Sequence, residues 1–119
     1  MIKISKLLIS LLLVFIIITP QKTLANEKLK IGLLIPLSED NQEIGQQIIK
    51  TVRMAINDIN NENVEIIVKD TKSNPNNTLK SAIELKNENV KIVIGPVFYQ
   101  NLVNLGEVED LIFLSLTNR

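Results

Sequence analysis

Lys30-Ile31-Gly32-Leu33-Leu34-Ile35-Pro36-Leu37-Ser38 is the stretch on which the fold turns. Residues 30–37 form a near-continuous apolar run rich in branched side chains, the pattern of a strand covered on both faces in a parallel sheet. A parallel sheet needs a helical crossover after such a strand, and the residues that follow supply one. Asp40-Asn41-Gln42-Glu43 reads as a helix start in which the Asp40 carboxylate accepts an orphan amide hydrogen and Glu43 reaches back as a capping box. Ile44, Ile48, Ile49, Val52, Ala55, Ile56 and Ile59 then share one face at spacings of three and four, which predicts a helix to about Asn60.

The alternation continues downstream. Val64 to Asp70 is a second strand that mixes alternation with apolar continuity, as expected nearer a sheet edge. Asn74-Pro75 suits a cap followed by a first-turn proline, with Leu79, Ala82, Ile83 and Leu85 predicting a helix that ends near Asn89. Val90 to Ile94 is strand three, stopped by Gly95-Pro96. A short helix is expected over Tyr99 to Gly106, and Leu111 to Leu114 reads as strand four. The order βαβαβαβ predicts an α/β fold, a parallel sheet with helices on both faces joined by right-handed crossovers. Such sheets bind ligands beyond the carboxyl ends of their strands, here at Ser38 to Asn41, Asp70 to Ser73, Gly95 to Tyr99 and Ser115 to Asn118.

Upstream, Lys3 and Lys6 precede the apolar run Leu7 to Ile18, and Thr23-Leu24-Ala25 places a small residue before a cut. Residues 1–25 are read as a signal peptide, too short in its apolar part for a span of roughly 20 residues, so no stable membrane span is expected after cleavage. No cysteine follows the apolar run to carry a lipid, so the product is expected free in the periplasm. Residues 26–119 then form one lobe.

With no cysteine and no histidine, disulfides, thiol chemistry, Ser-His-Asp arrangements and the commonest zinc ligands are excluded. Three of the 13 basic residues, Lys3, Lys6 and Lys22, precede Ala25, leaving 10 against 13 acidic residues and a net charge of −3. Nothing here attracts nucleic acid. Gly32 lies in a strand and Gly45 at a helix start, so no glycine-rich phosphate loop calls for a nucleotide cofactor. No catalytic residue, metal site or cofactor is expected.

Taken together, Ile31 to Ser38, Gly45 opening a long helix, Lys69-Asp70-Thr71 and Ile92-Val93-Ile94-Gly95-Pro96-Val97-Phe98 resemble the first lobe of the type I periplasmic binding proteins. The resemblance extends to the leucine/isoleucine/valine-binding branch and to the receptor-like domain of penicillin-binding protein activators. The resemblance implies a two-lobed clamshell of which this chain is one lobe, and hence incomplete. It also implies a periplasmic solute-binding role for a small polar ligand such as an amino acid, delivered to an ABC-type permease. Ligand contacts carried over from the family fall on Ser38, Tyr99, Ser115 and Thr117. Two positions depart from the pattern: Glu39 stands where a glycine commonly follows the serine, and Tyr99 where a small hydroxyl residue is usual. Both motivate a second expectation, a non-catalytic envelope regulatory domain whose partner is a cell-wall synthase.

Each feature also has a plainer reading. Ser38 and Ser115 fit strand-end capping as well as ligand contact. Asp70 fits a solvated strand terminus better than a metal-binding or phosphoryl-accepting carboxylate.

Overall fold

A computed structural model describes residues 3, 4, 6 and 27–117; the signal-peptide reading of 1–25 lies almost wholly outside them, as does Asn118. Four strands, β1 (Leu29–Ile35), β2 (Val64–Asp70), β3 (Ile92–Ile94) and β4 (Ile112–Leu114), form one sheet. All pairings are parallel, and the spatial order is β2-β1-β3-β4. The α/β expectation is thus met, and β2 lies at the edge its mixed pattern foretold. β1 is central, paired along its whole length from Leu29↔Val64 to Ile35↔Asp70 on one side and with β3 on the other.

Two helices serve as crossovers: α1 (Gln42–Ile59) between β1 and β2, and α2 (Pro75–Asn87) between β2 and β3. Side-chain alternation along β1 sorts the faces. Leu34, with Val93 of β3, packs against Ala82 and Leu85 of α2 and against Val90, Leu105 and Val108, and this is the buried core. Leu33 and Ile35, equally buried, point to the opposite face, where α1 crosses. Close approach of α1 depends on Gly45, since a Cβ there would sit 1.8 Å from the Pro36 carbonyl oxygen. Among the described residues no helix is long and apolar enough to cross a membrane.

Three boundaries differ from expectation. The Asp40 capping box does not start α1: Asn41 occupies the N-cap without a side-chain cap bond, because a 3₁₀ turn at Glu39–Asn41 comes first. Its amide is engaged elsewhere, Nδ2 donating to Ser73 Oγ at 3.1 Å. Instead of a helix at 99–106 there are two 3₁₀ turns, Tyr99–Leu102 and Leu105–Glu107. β3 is also shorter, because Val90 turns into the core under α2, its amide bonded to the Leu85 carbonyl, before pairing begins at Ile92.

The start of α2 behaves as its sequence dictates. Asn74 Oδ1 accepts from the amides of Asn76 at 2.9 Å and Asn77 at 3.2 Å, with Pro75 in the first turn. Asn74→Ala should therefore lower stability by about 1 kcal/mol, read as an earlier urea midpoint with an unchanged slope.

At the edge, Lys69 of β2 pairs with Glu88 at 2.7 Å and Glu84 at 3.2 Å. Hydrogen bonds that Lys69 donates to Glu88 and then Glu84 raise the Lys69 pKa. A charged, engaged lysine on an edge strand also discourages pairing with foreign strands.

Candidate functional site

Because every strand is parallel, all four carboxyl ends emerge at one pole, and the loops expected to carry function converge there. Asp70, the last residue of β2, organises that pole. Its Oδ1 accepts the Leu37 amide at 2.9 Å from the loop after β1 and the Lys72 amide at 2.8 Å from its own loop. One carboxylate oxygen thereby ties two strand exits together. The backbone repeats the tie, since the Thr71 amide donates to the Ile35 carbonyl at 3.0 Å. Asp70 is half-buried rather than the solvated terminus its position suggested.

Burial raises the Asp70 pKa, but the Leu37 and Lys72 amides together outweigh it, helped by the nearby Ser38 hydroxyl and the Lys72 charge. The carboxyl is held below the ordinary aspartate range. Ser38 Oγ itself is buried and, among the described residues, meets no hydrogen-bond partner at bonding distance, although it lies near enough to Asp70 to favour the charge. Ser38 opens the 3₁₀ turn without capping it, so the plain capping role is not the one it plays.

Glu39 follows with φ 62° and an exposed side chain. That left-handed backbone is cheapest for glycine, which accounts physically for a glycine at the equivalent family position. Here the turn is kept and a carboxylate is added at the rim.

The other three expected site residues lie on the far side of β1. Tyr99 begins the first 3₁₀ turn after β3 and is 59% exposed, so its ring stands outward instead of filling the pole. Ser115 and Thr117 come together after β4: Ser115 Oγ donates to Thr117 Oγ1 at 3.2 Å and accepts the Thr117 amide at 3.2 Å. Among the described residues no hydrogen bond joins Ser38 or Tyr99 to that pair. Leu116, between them, turns instead toward α1 and lines an open groove of about 340 Å³ with Ile44, Gln47, Ile48, Val52 and Ile94.

One polar residue at this pole escaped sequence reading. Asn101 is 1% exposed, and neither Oδ1 nor Nδ2 has a partner among the described residues. A short helix was expected over Tyr99 to Gly106 with no role for Asn101; the 3₁₀ turn Tyr99–Leu102 holds its side chain inside. Leaving a buried amide unpaired costs about 1–3 kcal/mol, so Asn101→Leu is expected to raise the unfolding free energy by a comparable amount, read as a higher urea midpoint. Equal or lower stability in that variant would mean that the amide is paired in solution.

Hydroxyls, amides and an engaged carboxylate suit non-covalent recognition. Among the described residues no group of acidic side chains is placed to hold a metal ion.

The family model described as "Periplasmic binding protein" matches residues 28–111. Among solved structures, the LpoA (YraM) C-domain from Haemophilus influenzae, a regulator of PBP1A, is similar at 28% identity and TM-score 0.64, over 76% of this chain and 28% of that one. The leucine-binding protein LivK from Thermotoga maritima shares the fold at 18% identity and TM-score 0.69, over 76% of this chain and 28% of its own. LivJ from Streptococcus pneumoniae, a branched-chain amino acid transporter substrate-binding protein solved with isoleucine, does so at 20% identity and TM-score 0.66, over 77% and 30%. The chain thus spans less than a third of the length of each. Among curated proteins, none matches it in sequence.

Proposed function

We propose that this chain, which belongs to the periplasmic binding protein family, acts as a non-catalytic lobe of the cell envelope that binds a protein partner, a cell-wall synthase of the penicillin-binding-protein class. The observation that carries this reading is the state of the strand-tip hydroxyls. Ser115 commits its hydroxyl hydrogen to Thr117, while Tyr99 presents its ring to solvent and Glu39 sets a negative charge at the rim. An amino acid's carboxylate would meet repulsion at Glu39 and find the Ser115 hydroxyl hydrogen already donated to Thr117. An exposed tyrosine is instead a common anchor between proteins. The resemblance to the LpoA C-domain, a regulator of PBP1A, supports the same direction.

The test is capture of envelope proteins on the tagged chain, with synthases revealed by a fluorescent penicillin. Retention of a labelled synthase, weakened at least tenfold by Tyr99→Ala, is the expected result. Absence of any labelled band on the native chain would overturn the reading.

Solute binding, with delivery to an ABC-type permease, is the second reading, favoured by one observation: the buried Ser38 hydroxyl has no hydrogen-bond partner among the described residues. Under it, amino acids should raise the melting temperature, and Glu39→Gly should enlarge the shift by removing the rim charge. A shift in the native chain with no synthase captured would put solute binding first.

A further inference from the structure

We draw no further inference here: the strongest candidate, the open apolar groove between α1 and the β3–β4 side of the sheet, bordered by Ile44, Ile48, Ile94 and Leu116, carries nothing because nothing in the structure shows what covers it.

Discussion

Gly95→Ala is expected to cost about 3 kcal/mol or more, the sum of a strained backbone and an overpacked contact. Gly95 holds φ 113°, where a side chain is strained whatever the space, and a Cβ there would lie 2.1 Å from the Leu34 carbonyl oxygen. That oxygen belongs to the central strand and cannot move without disturbing the sheet. The Gly95 amide also donates to the Leu114 carbonyl at 2.9 Å, so displacing it loosens β4 and the Ser115–Thr117 pair beyond. Small domains hold only about 5–15 kcal/mol in total, so this loss moves the urea midpoint far to the left. Gly106→Ala is the control, since a Cβ there meets nothing within 4 Å. Its effect should stay within about 0.5 kcal/mol. Near-equal midpoints for the two variants would mean that the close approach of Gly95 to Leu34 is wrong.

Asp70→Ala is expected to cost about 2–3 kcal/mol, because two backbone amides lose a charged acceptor at once. Asp70→Asn should cost less at neutral pH, as an amide oxygen still accepts but carries no charge. The pH dependence follows from the lowered pKa. The folded state gives up the Asp70 proton more readily than the unfolded chain, so the unfolded chain binds more protons in the acid range and stability rises with pH there. The contribution is complete above the unfolded pKa and is lost as pH falls through the folded one. The gap in unfolding free energy between the native chain and Asp70→Asn should therefore be constant from about pH 7 down to pH 5 and close on further acidification. A gap that persisted unchanged to pH 2 would show that Asp70 acts by shape rather than charge.

The architecture was legible in the chain because its apolar pattern is strong where the sheet is most covered. Ile31 to Ile35 could serve only as an interior strand, and the spacing from Ile44 to Ile59 could serve only as a helix laid along it. Asn74-Pro75 announced its own cap. The regions that escaped reading were those where non-local contacts override local preference. Asp40 and Glu43 carry a respectable capping pattern, yet Ser73, more than thirty residues away, engages the amide of Asn41 and a 3₁₀ turn precedes the helix. Tyr99 to Gly106 has helix-compatible spacing, but broke into two short turns as Asn101 and Leu105 were drawn inward.

For the candidate site, sequence brought the strand-exit loops together at one pole, because parallel topology alone settles that. It did not single out Asp70 as the staple between loops, since nothing local to Lys69-Asp70-Thr71 says that Leu37 will stand opposite. Nor did it show that Ser115 and Thr117 would bond to each other, which depends on the turn taken after β4.

The placement of β1 between two neighbours, against β4 with β3 alone beside it, gives the sheet an uneven resistance to solvent exchange. Amide protons at Leu33 and Leu34 are released only when the whole sheet comes apart, whereas those of β4 escape through local fraying of the rim. Deuterium uptake should thus advance inward from Phe113, leaving the protons of the innermost strand until last.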